Sequence, residues 1–295
     1  PARPPRPVMT LFLQQLFAGL AQGSVYALVA FGYALIFSTS RVVNFAQGHL
    51  FMLGAMTGVA LLGVGVPYLL MVPLTMAIVA ASGLALERSI TLPLRATRSP
   101  YTWIVATLAA AVVIENVASM IFGKEPRTFP PAIAGVTRIG DLVIQHHALV
   151  VLAVAVAVMV GIELWLGRTM IGTAFRATAD NPAPARLSGV PVPRLVMLSF
   201  ALSGAIAGLG GVLVAPITFA AVPIGLLLGL KGFIAAVIGG MGSFRGALIG
   251  GLSLGLAETV IRQQLPAGMG GTILFGFLLL TLVLRPTGLF GRRVA

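Results

Sequence analysis

The sequence has no cysteine, few charged residues and a shortage of acidic ones, with 7 Asp and Glu against 19 Lys and Arg among 295 residues. The absence of cysteine excludes a secreted domain held together by disulfides, and it removes the thiolate ligands of most structural zinc sites. Charged residues make up only 9% of the chain, whereas soluble domains carry about 25%. This deficit excludes an ordinary soluble globular protein and a disordered chain.

Apolar residues make up 58% of the sequence, and they form runs close to the roughly 20 residues that a transmembrane helix needs. The pattern predicts an all-α polytopic integral membrane protein with about 8–9 transmembrane helices. The candidate segments are Gln14–Phe37, Gly48–Val64, Tyr68–Leu86, Trp103–Phe122, Ala148–Leu166, Leu195–Ala215, Gly225–Ile238, Ala247–Ile261 and Thr272–Leu284. Two of them, Gly225–Ile238 and Ala247–Ile261, are short, which indicates a broken or re-entrant segment near residues 225–245.

Glycine supplies two further predictions. Pairs of glycines four residues apart, such as Gly54/Gly58 and Gly251/Gly255, favour close approach of neighbouring helices. The cluster Gly239-Gly240-Met241-Gly242-Ser243 is too rich in glycine for a stable helix interior, so we expect the helix to break there.

The basic residues are spread over short loops and form no clustered patch, so a nucleic-acid surface is not predicted. When alternate loops are counted, twelve basic residues fall on one side: Arg41, Arg88, Arg95, Arg98, Arg168, Arg176, Arg186, Arg194, Arg245, Arg285, Arg292 and Arg293. Six fall on the other side: Arg3, Arg6, Lys124, Arg127, Arg138 and Arg262. If all nine segments cross, the positive-inside rule places the N-terminus outside and the C-terminus in the cytoplasm.

The domain organisation predicted from these segments is simple. An N-terminal extension (residues 1–10) precedes a single transmembrane domain (residues 11–291), and a short tail (residues 292–295) follows it. The first apolar run is too long for the apolar region of a signal peptide, and no small-residue cleavage site ends it. We therefore expect it to be a retained first helix.

Lys231 is the most informative polar residue, because a lysine at the bilayer centre costs about 2.5–3.5 kcal/mol. Glu115 and Glu258 are its candidate partners within spans. The alternative interpretation is a lysine that snorkels to the interface, or an ion pair that only holds the bundle together. Asn44 and Gln47 lie between two spans, where a capped turn is the alternative to a functional role.

The longest cytoplasmic loop, residues 167–194, predicts a short helix through Ala174–Ala179. The helix should stop near Asn181, because Pro182 disfavours the helical conformation of the residue before it. Arg176 and Asp180 then lie four residues apart on one face. An ordered helix on such a loop suggests a docking element for a partner, and a solvated connector is the alternative.

Catalytic chemistry is not predicted. Neither lysine ends a phosphate-binding Gly-x-x-x-x-Gly-Lys-Ser/Thr run. The three histidines do not form a metal-ligand spacing, and no nucleophile and base stand out. We expect a chain that binds no cofactor and no metal and is not an enzyme.

Five stretches together resemble one known family. They are Leu13-x-x-x-Phe17-x-Gly19-x-x-x-Gly23-Ser24-x-Tyr26-Ala27-Leu28, Asn44-Phe45-Ala46-x-Gly48, Gly167-Arg168…Arg176-Ala177…Ala185-x-Leu187-x-Gly189-Val190, Lys231-x-Phe233-x-Ala235-Ala236-Val237-x-Gly239-Gly240-x-Gly242-Ser243-x-x-Gly246-Ala247 and Arg285-Pro286-Thr287-Gly288-Leu289-Phe290-Gly291. In this order they resemble a branched-chain amino-acid ABC-transporter permease of the LivH type. The Pro/Arg-rich Pro1–Pro7 and Gln47, where many relatives carry His, depart from the family pattern.

The resemblance implies a permease subunit of an ABC importer in the bacterial inner membrane. Its expected partners are a second permease subunit (sister chain or self), two cytoplasmic ATPases that bind ATP and Mg, and a periplasmic substrate-binding protein. The implied cargo is a branched-chain or other hydrophobic amino acid, with urea, amides or aromatic acids as alternatives. An alternative of another class is a secondary transporter or channel that uses Lys231, Glu115 and Glu258 as a charge relay.

The resemblance and the polar residues together give three sets of candidate site residues. The candidates for the substrate pathway or its gating are Tyr26, Asn44, Gln47, Glu115, Asn116, Lys231 and Glu258. The candidates for the ATPase-coupling loop are Gly167, Arg168, Gly172, Arg176, Ala177, Asp180, Leu187 and Gly189. The helix-break residues are Gly239, Gly240, Gly242 and Ser243.

Overall fold

A computed structural model describes residues 8–94, 99–139, 142–264, 276, 278–281, 283–285 and 288–291. The described helices are α1 (Val8–Ser40), α2 (Gln47–Gly63), α3 (Tyr68–Leu86), α4 (Leu92–Leu94), α5 (Pro100–Phe122), α6 (His146–Arg168), α7 (Met170–Asp180), α8 (Pro182–Leu187), α9 (Val192–Thr218), α10 (Ile224–Gly239) and α11 (Phe244–Gln264). A π-helical turn, Glu87–Thr91, joins α3 to α4. Pro1–Pro7 and the tail 292–295 lie outside the described residues, as do residues 272–275, 277 and 282 of the predicted segment Thr272–Leu284.

Among the described residues, six helical stretches are long and apolar enough to cross a membrane: Phe12–Ser40, Tyr68–Leu94, Tyr101–Phe122, His146–Arg168, Val192–Thr218 and Phe244–Ile261. Two shorter apolar helices, Gln47–Gly63 and Ile224–Gly239, lie between them in the sequence. In lipid each backbone amide and carbonyl must be satisfied within the protein, and a helix does this along its own axis. The architecture agrees with the predicted all-α polytopic membrane protein.

One feature was not predicted from the sequence. Strands β1 (Val136–Ile139) and β2 (Leu142–Gln145) pair antiparallel between α5 and α6, with Val136 opposite Gln145. The amide of His146, at the start of α6, donates to the carbonyl of Gly135, which anchors the hairpin to that helix.

The core of the bundle is built around α1 and α9, which are the most buried of the long helices. Helix α1 packs against α9, α10 and α11, while α3 and α2 cover α9. Glycines make these contacts close: a Cβ at Gly54 of α2 would lie 2.8 Å from the Cα of Gly208 on α9. A Cβ at Gly251 of α11 would lie 2.3 Å from the Cα of Ala27 on α1. The glycine spacing therefore serves close packing of helix backbones.

Gly251 offers a direct test of this packing. We expect Gly251→Ala to lower the free energy of unfolding by about 1–3 kcal/mol, because the new methyl group would overlap the backbone of α1. The matched control is Gly161→Ala in α6, where a Cβ meets no heavy atom within 4 Å. Thermal midpoints in detergent check the pair, and equal midpoints would contradict the packing argument.

The connecting segments fall into two groups at opposite ends of the bundle. At one end, Arg41 contacts α7, and Arg245 at the start of α11 forms an ion pair with Glu163 near the end of α6. At the other end, Arg127 after α5 and Ala220 after α9 exchange two backbone hydrogen bonds of 2.8 and 3.0 Å. In the alternate-loop count, Arg41 and Arg245 belong to one side and Arg127 to the other.

The glycine cluster forms a turn between α10 and α11. Gly240 and Gly242 have φ angles of +101° and +80°, which favour glycine. The amides of Leu289 and Phe290 donate to the carbonyls of Ile238 and Gly239, at 2.8 and 2.9 Å. These bonds satisfy carbonyls that the end of α10 leaves without an intrahelical donor. The chain thus leaves the helix at the glycine cluster, and residues 288–291 cover its end.

Candidate functional site

Lys231 on α10 belongs to a group of polar side chains that includes Glu258, Tyr26 and Gln22, whose Nε2 donates to the Tyr26 hydroxyl at 2.9 Å. Its Nζ lies 2.7 Å from Oε1 of Glu258 on α11 and 2.8 Å from the hydroxyl oxygen of Tyr26 on α1. The Tyr26 hydroxyl donates to the other Glu258 oxygen, Oε2, at 2.7 Å. The side chains of Lys231 and Glu258 are only 19% and 5% exposed. The lysine therefore has a carboxylate partner inside the bundle, and the group connects three helices.

Glu115 lies elsewhere, so its assignment as a partner of Lys231 was wrong. Its Oε2 is 3.2 Å from Nε2 of His49, which joins α5 to α2. His49 is buried, whereas the Glu115 side chain is 40% exposed. From the sequence, His49 was weighed only as a metal ligand. The pair was missed because the apolar residues around His49 and Glu115 do not indicate that the two helices meet there.

Asn116 follows Glu115 on the exposed side of α5. Its amide donates to the carbonyl of Val112 at 2.8 Å, one turn earlier. The surrounding face of the helix is apolar and exposed, with Val112 and Val113 more than half exposed. This helix thus presents an amide and part of a carboxylate among side chains suited to lipid or to another membrane protein.

Gln47 is at the centre of a third polar group, which lies between α1, α2 and α9. The hydroxyl of Ser203 is 2.9 Å from Gln47 Oε1 and 3.1 Å from the carbonyl oxygen of Gly32. Gly32 leaves room for the amide, since a Cβ there would lie 2.2 Å from Gln47 Nε2. Ser203 was missed because serines in membrane helices often bond only to their own backbone.

Asn44 takes the structural role that the sequence left open for it. Its Oδ1 accepts a hydrogen bond of 3.1 Å from the amide of Ala46, two residues on. This is an Asx turn, and it directs the chain into α2. Asn44 and Gln47 are therefore neighbours in the turn that begins α2, and the Gln47 backbone amide donates to the Asn44 carbonyl at 3.0 Å.

Helix α7 is longer than the predicted Ala174–Ala179 and is amphipathic. Gly172, Phe175 and Thr178 are buried against the bundle. Thr169 caps the first turn by accepting from the amide of Gly172, at 3.2 Å. Arg176 is exposed at the edge of this buried face, and its Nη1 donates to the carbonyl of Leu166 at 3.1 Å.

Exposed apolar side chains lie at the start of α7 and at the end of α8, the helix that follows it. Asn181 accepts from the amide of Ala183 at 3.1 Å and so begins α8. Leu187 at the end of α8 is 92% exposed, and Met170 at the start of α7 is 86% exposed. The other coupling-loop candidates that are exposed here are Gly167, Arg168, Asp180 and Gly189, while Ala177 is half-buried.

The structure therefore separates the predicted pathway residues into distinct groups. Tyr26, Lys231 and Glu258 come together, whereas Glu115 pairs with His49 and Gln47 with Ser203. Each group joins a different set of helices: the first joins α1, α10 and α11, the second joins α2 and α5, and the third joins α1, α2 and α9.

Residues 15–284 match the family model for the permease component of the branched-chain amino acid transport system. The chain belongs to this family. The permease is 31% identical to the high-affinity branched-chain amino acid transport system permease protein LivH of Escherichia coli K12, over 95% of this chain and 96% of that protein. A shorter match, 37% identical, covers 44% of the permease and 41% of the autoinducer 2 import system permease protein LsrC of Enterobacter sp. strain 638.

One solved structure, PsaBC from Streptococcus pneumoniae in complex with Fab, has a similar fold with a TM-score of 0.51. The alignment covers 96% of the permease and 98% of that chain, at 13% sequence identity. At this identity the similarity concerns the fold alone. The permease is thus a multi-pass membrane protein of a transport system, as the resemblance implied.

Proposed function

We propose that the permease is the transmembrane subunit of an ATP-binding-cassette importer for branched-chain or other hydrophobic amino acids. The observation that carries the proposal is the 31% identity to LivH along 95% of the chain. The proposed partners are a second permease subunit, two cytoplasmic ATPases with their ATP and Mg, and a periplasmic binding protein. The proposed location is the bacterial inner membrane.

The proposed mechanism is alternating access without chemistry in this subunit. Helix α7 and the exposed residues Met170 and Leu187 form the surface that docks on an ATPase. ATP binding between the ATPases moves α7, and the close glycine contacts transmit this movement to the spans as a rigid-body shift. The buried face of α7 supports this role, because it seats the helix directly on the bundle.

The exposed face of α5 is proposed to meet the second permease and to line the pathway. Glu115 and Asn116 lie on a helix of membrane-spanning length. A charged or amide side chain that faces lipid is costly, whereas a protein-lined or wet cavity accommodates it. A surface shared with a second permease subunit would provide that environment.

The relay alternative, a secondary transporter or channel, receives less support from the geometry. Lys231 pairs with Glu258 and Tyr26, whereas Glu115 lies in a separate group and pairs with His49. A proton or ion relay needs neighbouring groups that exchange partners along a path. The two hypotheses differ experimentally, because an importer stops without ATP, whereas a relay follows an ion gradient.

Cargo is tested with the complete complex. The permease is reconstituted in proteoliposomes with its ATPases, and ATP hydrolysis is measured with binding proteins loaded with leucine, urea, an amide or an aromatic acid. We expect the leucine-loaded protein to stimulate hydrolysis and to support ATP-dependent uptake. If only a binding protein loaded with another compound stimulates hydrolysis, that compound is the cargo instead of leucine. Uptake that follows an imposed ion gradient without ATP would contradict the proposed importer.

The proposed topology has all nine segments crossing, with the N-terminus outside and the C-terminus in the cytoplasm. We expect Thr137→Cys, on the exposed hairpin, to react with an impermeant thiol reagent from outside the cell. Ser188→Cys, exposed after α8, should react only from the cytoplasmic side. The cysteine-free chain makes each label specific, and external labelling at both positions would overturn this topology.

A further inference from the structure

Arg41 stands at a position where the backbone favours glycine. It is the first residue after α1, and its φ angle is +59°. Helices commonly end with a residue in this left-handed conformation, and glycine or asparagine is usual there because a longer side chain is disfavoured. The reason for an arginine must therefore lie in what its side chain contacts.

The Arg41 side chain reaches the end of α7. Its Nη2 donates to the carbonyl oxygen of Ala179, in the last turn of that helix. A continuing helix would supply this carbonyl with the amide of Ala183, but that amide donates to the side chain of Asn181 instead. Arg41 thus provides a donor for a carbonyl at the helix end, where a positive charge is also favoured by the helix dipole.

Arg41 also lies at the junction between α1 and the turn that begins α2. The Arg41 guanidinium lies 6.0 Å from the ring centre of Phe37, in the last turn of α1. A few residues later, Asn44 shapes the turn and Gln47 contacts Ser203 on α9. The Arg41 side chain therefore connects the end of α7 to the junction of α1 and α2.

We propose that Arg41 is a positioning residue that transmits the movement of α7 to the α1–α2 turn. The inference rests on the proposed role of α7 as the surface that docks on an ATPase. Helix α7 packs on the bundle through the buried residues Gly172, Phe175 and Thr178. Arg41 adds a hydrogen bond at the C-terminal end of the helix.

The test separates the side chain from the backbone. Arg41→Gly and Arg41→Asn suit the left-handed conformation but cannot reach Ala179, so both should fold and assemble with the ATPases. We expect both to reduce stimulation of ATP hydrolysis by the loaded binding protein, and uptake per ATP, by about fivefold or more. Arg41→Lys should retain most of the coupling, since an ammonium can donate to the single carbonyl involved.

Three outcomes would overturn the inference. They are wild-type coupling in the glycine and asparagine variants, better coupling in these two than in the lysine variant, and equal loss in all three. A charge reversal at Arg176, on the exposed face of α7, tests the proposed docking surface separately. If that reversal uncouples the complex while Arg41→Gly does not, only the role of Arg41 is contradicted. If neither change affects coupling, α7 is not the docking surface.

Discussion

Replacing Lys231 with Met should both destabilise the permease and lower uptake by more than about tenfold. The substitution removes the lysine ammonium that pairs with the Glu258 carboxylate, whose side chain is only 5% exposed. Removing one member of a buried ion pair costs about 3–5 kcal/mol, because the remaining charge stays buried. The Tyr26 hydroxyl still donates to this carboxylate, but it carries no charge to neutralise it.

A second variant separates the stabilising role of Lys231 from its proposed role in the pathway. In Lys231→Met/Glu258→Gln neither member of this pair is charged, and the glutamine oxygen can still accept from Tyr26. Neutral replacements of buried ion pairs are often as stable as the original. We expect the double variant to recover the thermal midpoint of the wild type while uptake stays low.

Uptake and thermal midpoint are measured on the same preparations, with uptake normalised to inserted protein. If the double variant regains uptake within about twofold of the wild type, the ion pair only holds α10 and α11 together. That result would return Lys231 to the bundle-holding interpretation that the sequence left open. Low uptake at normal stability would support a role for the charge itself in the translocation region.

The spans of this protein could be predicted because lipid leaves the backbone few choices. A helix satisfies its own amides and carbonyls, so an apolar run of sufficient length by itself predicts a membrane-spanning helix. The break at Gly240 and Gly242 was predictable for a related reason, since both adopt φ angles that favour glycine. The stop of α7 at Asp180 also follows from local chemistry, namely the restriction that Pro182 places on Asn181.

Partners across the bundle could not be predicted in the same way. The sequence gives the position of Lys231 along its helix, but not the rotation of α5 and α11 about their axes. Glu115 and Glu258 were therefore equal candidates, and packing decided for Glu258. Arg41 was counted only as a loop charge, because its contact with Ala179 joins segments far apart in the chain.

The small hairpin was missed although the sequence contained a signal. Gly140-Asp141 stands between two short runs rich in β-branched and apolar residues. Two such residues between strands are typical of a tight hairpin turn. The long apolar runs on both sides predict helices, and the segment between them was predicted only as an external loop.

Reversing the charge of Arg176 should abolish the stimulation of ATP hydrolysis by the loaded binding protein while the permease remains inserted. The side chain is exposed on α7, at the edge of the buried face that carries Phe175 and Thr178. If the exposed face docks on an ATPase, Arg176→Glu introduces a repulsive or unpaired charge at the interface, which can cost several kcal/mol. The effect should therefore appear in coupling before it appears in folding.

Two controls make this result specific. Arg176→Gln keeps a donor for the carbonyl of Leu166 and removes only the charge, so its loss should be smaller than that of Arg176→Glu. Arg138→Glu reverses an exposed charge on the hairpin at the opposite end of the bundle, and it should leave the ATPase contact unaffected. ATP hydrolysis, copurification of the ATPases and uptake are compared across the three variants. Near wild-type stimulation in Arg176→Glu, with the ATPases still bound, would show that this face of α7 does not dock on them.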